Sequence, residues 1–506
     1  MVLRVQLIKN VFSSWFAYGV RVVISFFFIP FITGVLGDAR YGVWVIIFQT
    51  INYLSLLDIG FEKALVRFLS KFLGQKAYPD INRVISTAAF IYLIIGTLAI
   101  LTVWLVANYF FGYFKINDLE LLAEGRSALI IIGFYQGFRF YLFPLGGTLG
   151  AFQRYDLANF LNIIEELLKT LVMVWLLYHG YGLTALALVI FISTVLKLSA
   201  GAIWLKKLHP AVAFKPGLAD RATVQTLFTY SKISFGITIA WIIIFNTDVV
   251  LLGLLSSSAA AGIYAPGAQL MLYLRHIINA IGIPLTPAVS QLESTTPLSK
   301  IGDIYLKSVK YISYLSFFIT VGIIIYARSF VGLWLEPGFA QAARVMIILA
   351  AGSAFFLPQI IGNYILFGIE KHKYLLYVLT CEAVMKIILS VILINRYGLL
   401  GMALAATIPQ VLLYVTIYPY FMARVLKLPL VRIMINSLSP GLLALVISIP
   451  AGLLTKYLIP VSGWASFFVN IGIVTVIVAL PGWFVIDAED RRLLVNFIKP
   501  GSNSKS

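Results

Sequence analysis

The chain has 506 residues, of which 61% are hydrophobic and 11% charged, whereas soluble domains run at about 45–50% apolar and about 25% charged. Water is therefore not its main solvent. The net charge of +18 does not point to nucleic acid, because the basic residues sit at the ends of apolar runs and form no continuous patch. The single cysteine, Cys381, excludes an internal disulfide framework and a multi-cysteine metal site, and His179, His209, His276 and His372 show no metal-ligand spacing.

A membrane-spanning helix needs about 20 apolar residues. The first such run, 11–36, is too long for a signal-peptide core, is interrupted by Arg21 and is followed by no A-x-A site, so it reads as a permanent span. Further spans are expected at 41–60, 84–110, 126–150, 158–178, 183–205, 227–255, 261–289, 308–335, 342–368, 374–394, 398–423, 437–460 and 464–486. The expected fold class is thus an all-α polytopic membrane protein of about 14 transmembrane helices. Only short polar stretches separate them.

Loop charge orients these spans. With the N-terminus inside, cytoplasmic segments hold about 24 of the 38 Lys and Arg. Lys63, Arg67, Lys71, Lys76 and Arg83 follow the second span, and Lys206, Lys207, Lys215 and Arg221 follow the sixth. Arg491, Arg492, Lys499 and Lys505 lie in the tail. The opposite side holds about seven, namely Arg40, Lys115, Arg126, Arg328, Arg344, Arg396 and Lys456. Both termini are expected in the cytoplasm, in a multi-pass protein of the cytoplasmic (inner) membrane.

The sequence repeats itself. YGLTALAL begins at Tyr181 and YGLLGMAL at Tyr397, an offset of 216. The same offset carries Glu166 onto Glu382, and each is followed about one turn later by a lysine, Lys169 or Lys386. Tyr41-Gly42-Val43-Trp44 is echoed by Ala261-Gly262-Ile263-Tyr264 at an offset of 220. An even number of spans lies between the copies, so two parallel six-helix lobes are expected, 1–210 and 211–430. The substrate path would run between them. Residues 431–506 would carry two extra helices and a cytoplasmic tail.

A charge at the bilayer centre costs at least about 2.5–3.5 kcal/mol on insertion scales, so it persists where water, a partner or a ligand meets it. The basic residues inside spans are Arg21, Arg139, Lys169, Lys197, Lys232, Arg275 and Lys386. Lys197 and Lys232 lie near cytoplasmic ends and can snorkel. Lys169 and Lys386 can pair with Glu166 and Glu382. Arg21, Arg139 and Arg275 lie mid-span without a carboxylate one turn away and are candidates to face a cavity, the competing reading being a bond to a carbonyl or to Glu165. Asp58 either caps a helix end or bridges Lys63. Asp248 either binds a coupling cation or neutralises an arginine. The candidate substrate-binding set is thus Arg21, Arg139, Arg275, Lys169 and Lys386, and the candidate coupling or charge-pair set is Asp58, Glu166, Asp248 and Glu382. The excess is basic, and guanidinium matches phosphate oxygens bidentately, which suits a phosphate or diphosphate head group. Gln49, Asn52, Gln136, Asn159, Asn162, Gln269, Gln359 and Asn363 add donors and acceptors for sugar hydroxyls or for neighbouring helices. Pro30, Pro144, Pro266, Pro284, Pro287, Pro358 and Pro409 interrupt spans and can kink them.

Lys9-Asn10, Leu36-Gly37-Asp38, Tyr41-Gly42-Val43-Trp44 and Leu57-Asp58-Ile59-Gly60 followed by Ala64 and Arg67, with the two Tyr-Gly-Leu repeats, resemble the polysaccharide transporter family. These are the Wzx-type oligosaccharide flippases of the multidrug/oligosaccharidyl-lipid/polysaccharide exporter superfamily. The resemblance covers essentially the whole chain and is most specific in the first 85 residues. It implies two six-helix lobes around a central cavity plus two extra helices. It also implies alternating access that moves a polyprenyl-diphosphate-linked oligosaccharide between leaflets for surface polysaccharide biosynthesis, beside a polysaccharide assembly machinery. By position in span, Arg21, Arg139 and Arg275 are the nearest counterparts of the cavity arginines of lipid II flippases. No cofactor is implied, and the choice between H+ and Na+ coupling is left open. An ion-coupled multidrug exporter of the same superfamily would want acidic cavity residues. A membrane polysaccharide polymerase or ligase would want a sizeable outward loop with an acid/base set, and none is present, so a non-enzyme is expected.

Overall fold

The computed structural model describes residues 2–58, 61, 65, 68–69, 72–73, 75, 77–144, 148, 155–208, 216–293 and 296–492. Lys63, Arg67, Lys71, Lys76, Gly146, Gly147, Lys215, Lys499 and Lys505, with the Ile59-Gly60 and Ala64 parts of the family motif, lie outside them. The side chains of Lys9, Asn10, Lys232 and Pro287 lie outside them too.

Among the described residues there is no strand. The helices are α1 (Val2–Asn52), α2 (Tyr78–Leu105), α3 (Leu119–Tyr141), α4 (Tyr155–Tyr178), α5 (Leu183–Leu208), α6 (Arg221–Asn246), α7 (Asp248–Leu255) and α8 (Ser258–Gly282). They continue as α9 (Leu285–Glu293), α10 (Leu298–Trp334), α11 (Ala342–Gly368), α12 (Lys373–Val415), α13 (Ile417–Leu426), α14 (Leu430–Leu458) and α15 (Trp464–Val485). In hydrocarbon a backbone amide has no water to bond, so helices are the way this chain keeps every peptide group satisfied.

Eight helical stretches among the described residues are long and apolar enough to cross a membrane, or nine with α6 and α7 taken as one span bent by 52°. Two of the eight, Trp15–Asp58 and Lys373–Leu426, contain 44 and 54 residues. At about 1.5 Å per residue each would be more than twice the roughly 30 Å hydrocarbon core. Each breaks at a glycine with positive φ, Gly37 (71°) and Gly398 (56°). At Gly398 the chain doubles back, since a Cβ on Gly401 would lie 2.0 Å from the Leu393 carbonyl oxygen. These two breaks fall between spans expected to be separate. Helices α3, α4 and α8 are long enough to cross but fall outside the eight. They are the helices that carry Arg139, Glu166 with Lys169, and Arg275.

The chain divides into two compact units, Met1–Ala265 and Pro266–Ser506. In the first, α4 packs on α1 and α5, α3 packs on α2 and α5, and α7 packs on α1. Glu124 accepts the Leu183 amide at 2.6 Å and so caps α5 at the first Tyr-Gly-Leu turn. Lys115 donates to the Leu255 carbonyl at 2.8 Å at the end of α7. The echoed glycines meet: a Cβ on Gly42 would sit 1.7 Å from the Ser258 carbonyl oxygen, and one on Gly262 would sit 2.2 Å from the Asp38 oxygen and 2.9 Å from the Gly42 nitrogen. Lipid tails are as apolar as leucine, so such close backbone approach is what holds helices together here.

In the second unit α10 is the central helix, packed on α11 and α14, with α15 on α14. Phe317 of α10 packs on Ala354 of α11 and Ala444 of α14. Past α15 the chain is tied back to α10. Lys310 donates to Asp487 at 2.8 Å, Lys307 lies 3.4 Å from Asp490, and the Tyr311 hydroxyl donates to Asp490 at 2.6 Å. The Lys310 hydrogen bond is the main cause holding the Asp487 carboxyl below its ordinary value.

Two outcomes follow from this packing. Gly42→Leu and Gly262→Leu each push a side chain into a partner backbone, so each should destabilise the protein by about 2 kcal/mol or more. Thermal unfolding in detergent checks this, and an unchanged midpoint would rule out the close approach. A depressed carboxylate contributes fully above the ordinary carboxylate range, and that contribution is lost as pH falls below about 4. Hydrogen exchange at 486–492, corrected for intrinsic rates, should therefore stay slow at pH 7 and rise toward pH 3. Equal protection at both pH values would show that Asp487 does not anchor the segment.

Candidate functional site

The expected site residues separate into local clusters, each inside one unit. In the first unit, Asp58 ends a short 3-10 turn (Tyr53–Asp58) after α1 and accepts a hydrogen bond from the Tyr92 hydroxyl of α2. Tyr92 stacks on Phe143 at 5.2 Å, and the Arg139 guanidinium lies 5.9 Å from the Phe143 ring centre. Asp58 and Arg139 thus flank one aromatic stack without pairing directly. Arg139 occupies the last turn of α3, just before the break at Leu142, and its side chain is exposed. Arg21 is exposed on α1, and no described carboxylate pairs with it.

Asp248 opens α7, where the α6–α7 bend leaves backbone amides free of helical partners. Its carboxylate accepts from the Tyr264 hydroxyl of α8 at 2.5 Å. Beside it the Tyr53 hydroxyl donates to Thr247 at 2.7 Å, and Asn52 donates to Asn246 at 3.4 Å. A polar seam therefore joins the end of α1 to the α6–α7 bend and includes Gln49, 3.5 Å from Asn52.

On α4 the expected pair forms, with Lys169 Nζ 2.8 Å from Glu166 Oε2. Glu165, offered as an arginine partner, pairs instead with Lys197 of α5 at 2.6 Å. It also accepts from the Thr194 hydroxyl at 2.7 Å. Lys197 therefore has a partner inside the protein and is not a snorkelling residue, because its helix faces the acidic turn of α4.

In the second unit Glu382 and Lys386 of α12 are 1% and 2% exposed. The Tyr414 hydroxyl donates to Glu382 Oε2 at 3.0 Å. Gln410 bonds the same carboxylate, and Lys386 and Arg275 act on it electrostatically. Arg275 of α8 also interacts with Tyr364 of α11, whose hydroxyl donates to Asn279 at 3.1 Å. Three of the expected residues, Arg275, Glu382 and Lys386, are thus brought together: two cations around one carboxylate. Next to them run Tyr418 to Asn363 at 2.8 Å, Tyr305 to Gln359 at 2.6 Å and Gln359 to Ser437 at 3.2 Å, which are bonds between helices.

The tyrosines that bond the acids, Tyr92, Tyr264 and Tyr414, are absent from the sequence expectation. Tyr92 and Tyr264 come from another helix and Tyr414 from beyond the Gly398 break of α12, and nothing in span composition distinguishes them. One signal was present. The offset of 216 that aligns the Tyr-Gly-Leu turns carries Thr194 onto Gln410. Both bond an acid that lies before the Tyr-Gly-Leu turn, Glu165 on α4 and Glu382 ahead of the Gly398 break of α12. No group of three His, Cys, Asp or Glu side chains among the described residues is placed to hold a metal ion.

Long apolar helices that carry charges satisfied inside the protein define a multi-pass membrane protein. The polysaccharide biosynthesis protein family model matches residues 7–293, more than half of the chain, and the chain belongs to that family. It is 22% identical over 494 residues to the membrane protein EpsK of Bacillus subtilis, covering 96% of each chain. It is 24% identical over 184 residues to a probable low-salt glycan biosynthesis flippase, Agl15, of Haloferax volcanii, covering 36% of this chain and 39% of that one. Its fold is similar to the lipid II flippase MurJ in an inward closed conformation, with TM-score 0.72, 13% identity and coverage of 94% and 97%. It is also similar to an inward-facing MATE family multidrug transporter of the MOP superfamily, with TM-score 0.66, 14% identity and coverage of 80% and 95%. The expected family and the all-α polytopic membrane fold are borne out, while the described residues show eight or nine candidate spans where about 14 were expected.

Removing the amine of Lys386 leaves a buried carboxylate with one cation fewer. Lys386→Met should cost about 3–5 kcal/mol, and Glu382→Gln together with Lys386→Met should cost clearly less than the two single changes added. Unfolding in detergent across this double-mutant cycle measures the coupling. Strict additivity would show that the two side chains do not interact.

Proposed function

We propose that this chain is a flippase that moves a polyprenyl-diphosphate-linked oligosaccharide from the inner to the outer leaflet of the cytoplasmic membrane, for surface polysaccharide biosynthesis. The observation that carries the reading is the group formed by half-buried Arg275 with buried Lys386 and Glu382, two cations around one carboxylate. A net positive group in low dielectric favours an anion, and guanidinium suits phosphate oxygens. Membership of the polysaccharide biosynthesis family supports it, as does a relative named as a glycan biosynthesis flippase.

In this reading the lobes are 1–210 and 211–430, residues 431–506 form an appendage, both termini are cytoplasmic, and the lobes alternate access to the two leaflets. Arg21, Arg139 and Arg275 would meet the diphosphate. Lys386 would hold Glu382 as a charge pair, and Lys169 would do the same for Glu166. Asp58 and Asp248, each under a tyrosine hydroxyl, would be the acids available for ion coupling. A polysaccharide assembly machinery would receive the product. The protein acts as a transporter and not as an enzyme.

Reconstitution into proteoliposomes with a labelled undecaprenyl-diphosphate oligosaccharide tests the reading. The folded protein should equilibrate the label between leaflets, and Arg275→Ala should slow this by on the order of tenfold or more, the loss of one charge-assisted contact. Unchanged flipping in Arg275→Ala would remove that arginine from the path. The similarity to a MATE multidrug transporter favours a second reading, an ion-coupled drug exporter. Drug efflux driven by an ion gradient, with no movement of lipid-linked sugar, would establish that one instead.

A further inference from the structure

A cavity of about 500 Å³ opens at the turn between α10 and α11, away from the buried Glu382 group. Its polar lining is Arg328, Glu336, Gln341 and Arg344, and Val331 and Leu335 supply the apolar wall. Both arginines are exposed, and neither has an ion-pair or side-chain hydrogen-bond partner among the described residues. Glu336 lies in the same cavity without pairing with either of them. Helix α11 begins here, its first amides bonded to the Ala340 and Gln341 carbonyls, and its positive dipole end adds to the same positive field.

Aromatic residues give the depth of this cavity. Phe330 packs on Trp334, the last residue of α10, at 5.2 Å, and on Trp464, the first residue of α15, at 5.9 Å. Trp464 also stacks on Phe468 at 5.9 Å. Tryptophan gathers where hydrocarbon meets head groups. Arg328 precedes Trp334 by six residues, about 9 Å along the helix, and Arg344 stands in the first turn of α11. Arg344 therefore stands near the level of Trp334, and Arg328 lies about 9 Å toward the apolar span, from where a long side chain can snorkel toward the head groups. A third cation at this end, Lys456, is already engaged. It donates to the Ile325 carbonyl at 2.7 Å and lies 5.8 Å from the Tyr326 ring centre. By the loop-charge count this is the side that is poor in Lys and Arg, so two arginines sharing one cavity there are out of pattern for a topology signal.

We propose that this cavity binds the phosphate of a membrane lipid, gripped between Arg328 and Arg344, with the lipid chain leaving along the Val331 and Leu335 wall. The site is separate from the Arg275 group and does not rest on the flippase reading. Two sources share the chemistry, a bulk anionic phospholipid and a polyprenyl phosphate. Glu336 opposes the anion and sets its affinity below what two free guanidiniums would give.

The test is native mass spectrometry of the full chain, delipidated in detergent and offered phosphatidylglycerol, undecaprenyl phosphate or diacylglycerol, the last having chains and no phosphate. At least one phosphate lipid should bind on the order of tenfold tighter than diacylglycerol, as charge-assisted bonds to guanidinium allow. Arg328→Gln with Arg344→Gln should abolish the preference, and Arg328→Lys with Arg344→Lys should keep part of it. Preference for phosphatidylglycerol assigns a bulk-lipid site, and preference for undecaprenyl phosphate assigns a carrier-lipid site. Glu336→Gln, which removes a charge and leaves the arginines in place, should tighten phosphate-lipid binding severalfold. Equal retention of diacylglycerol, phosphate-lipid binding that survives the double glutamine variant, or no tightening in Glu336→Gln would overturn the proposal.

Discussion

Taking a carboxylate or an ammonium out of water costs several kcal/mol, and the cost is met only when opposite charge and hydrogen bonds are already in place. Glu382 and Lys386, 1% and 2% exposed, meet that condition through Tyr414 and Gln410 from the far side of the Gly398 break and through Arg275 from α8. The position of α12 relative to its own continuation is thereby specified by a polar contact. Apolar surfaces alone would not specify it, because leucine against leucine and leucine against lipid are nearly equivalent. The same logic places α5 against α4 through Glu165, Lys197 and Thr194. Helices α4 and α8, which fall outside the eight hydropathy candidates, are registered against α5 and α12 by the charges they carry.

The internal repeat takes on physical meaning from this. Gly42 and Gly262, related by an offset of 220, touch each other backbone to backbone. Thr194 and Gln410, related by 216, perform the same task on an acid that lies before the Tyr-Gly-Leu turn. The copies have diverged in how closed they are. Glu166 and Lys169 form a direct pair three residues apart with about a quarter of each side chain exposed. Glu382 and Lys386 stand four residues apart and are buried under two polar side chains. One scaffold thus carries a solvated ion pair in the first copy and a desolvated one in the second, and the desolvated pair has the larger electrostatic consequence.

Much of the fold was legible in the sequence. The breaks at Gly37 and Gly398 fall where spans were divided, and the Glu166–Lys169 spacing gave its ion pair directly. What composition could not reveal were partners from other helices. Tyr92 reaching Asp58, Tyr264 reaching Asp248 and Lys197 taking Glu165 depend on rotation and register of helices that are apolar on every side. Arg139 lies one turn before a break at Leu142, beyond which Phe143 and Pro144 are again helical, and its guanidinium sits 5.9 Å from the Phe143 ring centre.

The charges at membrane depth and at its edge therefore fall into groups that differ in what is left for a ligand. Glu166 with Lys169, and Glu165 with Lys197, neutralise each other and keep little field for anything else. Asp58 and Asp248 each accept a hydrogen bond from a tyrosine hydroxyl of another helix. Arg275 and Lys386 share one carboxylate, and Arg328 and Arg344 share a cavity with Glu336 while pairing with no described acid. Cations thus outnumber carboxylates both around Glu382 and in the cavity that holds Glu336. That distribution suits molecules that are anionic at the head and apolar in the tail, because only such a molecule matches both the guanidiniums and the hydrocarbon that surrounds them.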